Sequence, residues 1–159
     1  MSTNTGSFQF RDASNRDAAA VQALVFGVLR EYGLQPDPGG TDTDIADIEA
    51  NYPQRGGWFQ VIEDAEGNIV GSAGIYPLGD GVCELRKMYL RAAVRGRGLG
   101  RRLLENALAA ARQRGFRRVT LETAAVLKEA IALYVRYGFK PVQGGVHSGR
   151  CDQAFELVL

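Results

Sequence analysis

The sequence predicts a mixed α/β fold of the α+β kind, with antiparallel strands in its first half and a parallel element in its second. Three observations carry this. Two helical stretches are followed by three β-rich runs joined by short turns. A strand running into a glycine-rich turn then opens a helix, and strand, helix and strands follow. No repeat, low-complexity tract or linker separates the halves. A chain of 159 residues, 45% hydrophobic, can bury roughly two-thirds of its unfolded surface without disulfide or metal staples. One domain over residues 8–159 is expected, behind a disordered tail at residues 1–7.

The elements follow from local signals. Ser14 with Asp17 three residues on resembles a capping box, after which Val21, Leu24, Val25, Val28 and Leu29 recur at helical spacing until Gly33. Ile45, Ile48 and Tyr52 suggest a second helix, with Thr43 as cap and Pro53 as terminator. Residues 58–62, 69–76 and 82–90 are β-rich. Turn-formers separate them, Asp64, Gly67 and Asn68 and then Pro77, Gly79, Asp80 and Gly81, so they make an antiparallel meander. The turn at Gly96 to Gly100 opens a helix whose apolar face is Leu99, Leu103, Leu104, Ala107, Leu108 and Ala111, ended by Gly115. Strand 118–123, helix 127–137, a short extended run 139–142 and a closing strand 154–159 complete the chain.

Composition narrows the function classes. Nineteen Lys and Arg against eighteen Asp and Glu give a net charge of +1, unlike a protein that grips nucleic acid over a whole face. Two cysteines, Cys83 and Cys151, and one histidine, His147, exclude a Cys/His zinc cluster and a disulfide framework, so no metal is expected. The first seventeen residues lack a secretory pattern, and the longest apolar stretch, 18–29, is too short to span a bilayer. A reduced, cytoplasmic protein that binds neither membrane nor nucleic acid is expected.

The most informative segment is Arg95-Gly96-Arg97-Gly98-Leu99-Gly100-Arg101-Arg102. Glycines let the backbone take positive φ and approach a ligand, and the first free N–H groups of a helix lie at the positive end of its dipole. With four arginines this is an anion site suited to pyrophosphate. A P-loop requires Gly-x4-Gly-Lys-Ser/Thr, which is absent. A dinucleotide fingerprint would put its third glycine at Arg101, and although Glu122 stands about where its ribose-binding acid belongs, Glu84, Arg86 and Lys87 break the apolar first strand.

The hexad fits Arg-x-x-Gly-x-Gly, and here the chain resembles the GNAT superfamily of N-acetyltransferases. Ala130-Ile131-Ala132-Leu133-Tyr134 and Tyr137-Gly138-Phe139 resemble the family's later Ala-x-x-Leu-Tyr and Gly-Phe pair, in the right order. The resemblance implies a GNAT-like acyl-CoA N-acyltransferase fold with splayed fourth and fifth strands, 82–90 and 118–123. It also implies acetyl-CoA as co-substrate, an amine acceptor and a homodimer. Along the cofactor arm it places Met88, Tyr89 and Leu90, with Met88 and Leu90 as main-chain partners. Under the pyrophosphate it places the N–H groups of Arg95, Gly96, Arg97, Gly98, Leu99 and Gly100, with Arg101 at the helix start. Leu127 replaces the asparagine that many members carry near the arm.

An amine near pKa 10 must lose a proton before it attacks a thioester. By resemblance Glu84 is the base, Tyr134 the acid for the departing thiolate, and the Met88 N–H the oxyanion donor. The alternatives are a non-catalytic acyl-CoA-binding or sensing domain and, more distantly, a Rossmann-type oxidoreductase. From Glu31 to Gln54 there are six acidic residues, Glu31, Asp37, Asp42, Asp44, Asp47 and Glu49, and no Lys or Arg. In the family this region borders the acceptor site, so an acidic rim attracting a cationic amine stands against an ordinary solvated helix face.

Overall fold

The computed structural model describes residues 7–159; of the tail expected at residues 1–7, all but Ser7 lies outside them. One sheet contains β1 (Gln9–Asp12), β2 (Trp58–Glu63), β3 (Ile69–Gly79), β4 (Val82–Leu90), β5 (Arg118–Thr123), β6 (Lys140–Val142) and β7 (Gln153–Val158), in the order β1-β2-β3-β4-β5-β7-β6. Neighbours are antiparallel except β4 and β5, which are parallel. The helices are α1 (Ala18–Glu31), α2 (Ile48–Asn51), α3 (Leu99–Gln113) and α4 (Lys128–Arg136). This is the mixed α/β architecture that the helical and strand periodicities imply. Among the described residues no helix is long and apolar enough to cross a membrane.

Two apolar layers hold the sheet. On one face Leu103, Leu104, Ala107 and Leu108 of α3 pack with Ile62, Cys83, Leu85, Val119 and Leu121. On the other, Val21, Val25 and Leu29 of α1 pack with Ile45, Ile48, Tyr52, Phe59 and Val61. The alternation of Phe59 and Val61 against Trp58 and Ile62 serves both layers from one strand.

β3 runs on through Pro77, which pairs with Cys83, to Gly79, past the expected end at Tyr76, so the turn is confined to Asp80 and Gly81. Two further elements differ from the sequence reading. β1 has no counterpart in it, because four residues, Gln-Phe-Arg-Asp, are too few and too polar to give a periodic signal. It is fastened by Arg11, whose guanidinium donates to Glu63 at 2.8 Å and to Asp17 at 2.8 and 2.9 Å. The second helix is divided into a 3-10 turn at Thr43–Ala46 and the single turn of α2. Asp47, at φ −139°, makes the break and caps α2 by accepting the Ala50 N–H at 3.1 Å.

The feature that positions the site is where β4 and β5 part. They pair only through Val82–Arg118, Cys83–Val119 and Glu84–Thr120. From there β4 stays with β3 as far as Leu90, and β5 stays with β7 as far as Thr123, so a gap opens between them. The β3–β4 register shifts between Ser72 and Gly74, where Lys87 takes a left-handed φ of +56°. A bulge of this kind bends its strand and raises the local twist.

Gly74 of β3 lies beneath this bend. A Cβ there would stand 2.7 Å from both Phe59 Cδ2 and Tyr52 Cε1, two buried rings with little room to shift. Gly74→Ala is expected to lower the unfolding free energy by about 1–3 kcal/mol, read from the urea midpoint at unchanged slope. A loss under about 0.5 kcal/mol, the size of an ordinary surface change, would contradict the packing described.

Candidate active site

The gap between β4 and β5 widens into a cleft of about 730 Å³. Glu84, Met88, Tyr89, Leu127 and Tyr134 all line it; Leu90 and the glycine turn from Arg95 to Arg101 lie beyond its edge, past the end of β4. The sequence-derived residues therefore fall into two neighbouring groups, one of main chain and one of side chains.

The first group is main chain. The Arg91 N–H bonds the Val70 carbonyl at 2.9 Å, and Tyr89 stands opposite Ser72. The alternation of an antiparallel ladder therefore turns the main-chain groups of Met88 and Leu90 away from β3, toward the gap. At the turn, Gly96 and Gly98 have φ of +80° and +79°, and Gly98 caps α3. From Gly96 to Arg101 the N–H groups have no acceptor among the described residues; the Arg102 N–H is the next to bond, to the Gly98 carbonyl at 3.2 Å. A Cβ at Gly96 would meet nothing within 4 Å, and one at Gly98 only the tip of Arg101 at 4.0 Å, so the backbone is open above both glycines. Unbonded amides at the N-terminus of a fifteen-residue helix make a cradle for an anion.

The arginines divide by role. Arg95 is a staple: its Nε and Nη2 donate to the Leu90 carbonyl at 3.0 and 2.8 Å, and its terminal nitrogens bond Glu31 at 2.6 and 2.9 Å. That contact holds the Glu31 carboxyl below the usual carboxylate range. Arg102 lies over the Phe10 ring at 4.4 Å. Arg97 and Arg101 remain exposed beside the amides. Leu99 is buried in the core, so only its main chain is available at the turn.

The second group is side chain. Tyr134 of α4 is 5% exposed and packs on Phe139 with ring centroids 5.7 Å apart. Its hydroxyl has no hydrogen-bond partner among the described residues and is not closed off from the cleft. Burial, with Tyr89 and Cys151 nearby, pushes its phenol well above the ordinary value, so it stays protonated. Burial likewise pushes the Tyr89 phenol up to about 12. Glu84 uses one oxygen to accept from Arg86 Nε at 2.6 Å; its other oxygen has no partner among the described residues. Leu127 precedes α4 and is half-buried on the wall. Cys83 is buried in the core and its thiol is pushed up to about 12, whereas half-buried Cys151 lines the cleft. His147 is 82% exposed on its side chain.

Residues that sequence reasoning did not assemble build the cleft's other wall. Lys87, 5% exposed, lies between Asp42 at 3.3 Å and Asp44 at 3.1 Å. Asp42 also receives both terminal nitrogens of Arg150, at 2.7 and 2.8 Å, and the Asp37 N–H at 2.8 Å. Tyr52 donates to Asp44. This network joins the segment after α1, the bulge of β4 and the segment before β7. That last segment is also held by Glu122, which accepts from the His147 and Ser148 N–H groups at 2.7 and 2.9 Å. Burial raises the Glu122 pKa, but those donors and the His147 ring outweigh it and hold it low. The signal available in the sequence is the adjacent Arg86-Lys87, which puts a charge on each face of the strand and so calls for a partner on the buried one.

The acidic run from Glu31 to Gln54 is thus not a free rim. Glu31, Asp42 and Asp44 have cationic partners, Asp37 accepts the Thr41 N–H, Asp47 caps α2, and Glu49 accepts the Asn15 N–H.

Residues 26–139 match the model of the Acetyltransferase (GNAT) family. The uncharacterized N-acetyltransferase YjgM of Escherichia coli K12 is 42% identical over 132 residues, covering 80% of this chain and 78% of that protein. A GNAT-family acetyltransferase of Staphylococcus aureus Mu50 has a TM-score of 0.88 at 19% identity, over 94% of this chain and 97% of that one, which shows the shared fold. The acetyltransferase yncA of Salmonella typhimurium, solved with its cofactor acetyl-CoA, has a TM-score of 0.74 at 25% identity, over 96% of this chain and 94% of that one.

The Asp42 network supplies a test. Burial raises the Asp42 pKa, but Arg150, the Asp37 N–H and Lys87 together hold it below its usual value. Its contribution to stability is therefore full above the ordinary carboxylate range and is lost as pH falls through the lowered value. Asp42→Asn leaves Arg150 and Lys87 without that countercharge. It is expected to lower stability at pH 7 by about 3 kcal/mol and to flatten the acid limb of a stability-against-pH curve. An acid limb identical to the parent's would contradict the assignment.

Proposed function

Because the chain belongs to the GNAT acetyltransferase family, it is an N-acetyltransferase, and we propose that it moves the acetyl group of acetyl-CoA to a primary amine. The observation that carries this is the meeting, at one end of β4, of an unpaired strand edge and the unbonded N–H groups from Gly96 to Arg101. The two fit the two halves of the donor. The amides of a pantetheine arm pair with the Met88 main chain and the Leu90 N–H as an added strand would, the Leu90 carbonyl being held by Arg95. A pyrophosphate sits on the amides of the turn, with the dipole of α3 behind them and Arg97 and Arg101 beside them. Arg95 acts by holding the turn against Leu90 and Glu31. The relative yncA, solved with acetyl-CoA, supports the same donor here.

The bound thioester supplies an activated acyl carbon and a thiolate leaving group. The acceptor's nitrogen forms the new C–N bond as the C–S bond breaks. Glu84 is the base, with its unpartnered oxygen taking the amine proton directly or through water, while Arg86 holds the other oxygen. The Met88 N–H, turned into the gap beside the bulge, stabilises the negative charge that develops on the acyl oxygen. Tyr134 gives its hydroxyl proton to the departing sulfur. Burial favours the neutral phenol, so the proton is present at neutral pH, and the same desolvation favours protonation of a thiolate in that pocket.

Two measurements check this. Tyr134→Phe is expected to lower kcat by about 100-fold in a thiol-release assay while calorimetry shows little change in acetyl-CoA affinity; an unchanged kcat would remove Tyr134 from the proton path. Gly98→Val places a branched side chain at positive φ on the open backbone and is expected to weaken acetyl-CoA by about tenfold or more, well beyond the effect of Arg97→Ala. Equal losses in the two variants would mean that charge rather than close approach governs binding. Failure of the parent protein to bind acetyl-CoA would overturn the proposal.

A further inference from the structure

Among the charged side chains of the cleft, one guanidinium has neither terminal nitrogen hydrogen-bonded among the described residues. Lys87 is surrounded by Asp42, Asp44 and the Thr41 carbonyl. Arg150 is held by Asp42 and the Gln35 carbonyl. Arg86 differs. Only its Nε is hydrogen-bonded, to Glu84, and Nη1 stands 4.0 Å from Asp44. Its two terminal nitrogens have no hydrogen-bond partner among the described residues and are not sealed from solvent. The guanidinium lies over the Tyr76 ring at 3.8 Å, and Tyr52 meets that ring edge-on with centroids 5.7 Å apart. It is therefore a planar fork fixed by stacking, and the fork geometry of a guanidinium matches a carboxylate through two parallel N–H···O bonds.

Glu84 lies two residues before Arg86 on the same face of β4, with an unpartnered oxygen. An ammonium acceptor and a carboxylate donor thus stand side by side in the cleft. That pattern is complementary to a small zwitterion. It offers little to a polyamine, since the acidic residues from Glu31 to Glu49 already have partners. We propose that the acceptor is a free α-amino acid, its amine at Glu84 and its carboxylate on the terminal nitrogens of Arg86, which makes Arg86 a specificity-determining residue. This rests on the acetyl-transfer reading above and names the substrate class of that site.

The test compares the twenty protein L-amino acids with their α-carboxamides and with spermidine. Thiol release from acetyl-CoA gives kcat/KM, and saturation-transfer NMR of the same compounds, with and without CoA, gives binding independent of turnover. At least one amino acid is expected to exceed its own amide by about 10- to 100-fold. Arg86→Gln is expected to bring that ratio near one, chiefly through KM, and Arg86→Lys, which keeps the charge but not the fork, to retain part of it. Circular dichroism checks that both variants are folded. An amide or spermidine used as well as the best amino acid, or a ratio that survives Arg86→Gln, would overturn the proposal. So would NMR saturation that is absent or equal for acid and amide. Absence of acetyl-CoA binding by calorimetry would instead overturn the transfer reading, with the NMR comparison still deciding the role of Arg86.

Discussion

Beyond Glu84 and Thr120, strands β4 and β5 no longer share hydrogen bonds, and the other functional features depend on that parting. A sheet that stayed paired would bury the Met88 and Leu90 main chain in its ladder and leave no cleft. Each strand keeps its outer neighbour, β3 for β4 and β7 for β5, so the gap is supported from both sides. The bulge at Lys87 bends β4, and a residue with a Cβ at φ of +56° carries about 1–2 kcal/mol of strain. Lys87 is held there by its ion pairs with Asp42 and Asp44 and by the Ser72 hydroxyl, which donates to its carbonyl at 2.7 Å.

The same contacts connect backbone shape to charge. Asp42 and Asp44 neutralise Lys87 and, through Arg150, bind the segment before β7 to the segment after α1, so the two sides of the cleft share one buried network. Such a network is a weak source of net stability, because desolvation opposes attraction, but removing one member leaves a buried charge exposed to that penalty alone. Its consequence for the site is positional. It pairs Lys87, Arg150, Asp42 and Asp44 with one another, while both terminal nitrogens of Arg86 and one oxygen of Glu84 have no hydrogen-bond partner among the described residues.

Local signals made much of the fold legible. The spacing of Val21, Leu24, Val25 and Val28 reports α1 because the same residues pack on the sheet, and Leu103, Leu104, Ala107 and Leu108 report α3 for the same reason. The hexad from Arg95 was legible because glycine is required where φ is positive, at Gly96 and Gly98. Its arginine was read as part of the anion site, whereas the structure uses Arg95 chiefly as a staple to Leu90 and Glu31. What escaped the sequence is long-range. Arg150 and Asp42 lie 108 residues apart, and neither position carries a periodic or turn signal that points to the other. β1 was too short to register, and the break before α2 depends on Asp47, whose capping role resembles that of any aspartate at a helix start.

The central claim is that the open edge of β4 and the unbonded amides of the glycine turn form one donor site. Residue-resolved amide hydrogen exchange with and without acetyl-CoA tests it most directly. The account predicts that the amides of Gly96 to Arg101, together with those of Met88 and Leu90, slow on addition of acetyl-CoA, because they gain acceptors that the chain itself does not supply. Saturating acetyl-CoA that leaves those amides exchanging at their original rates would contradict it.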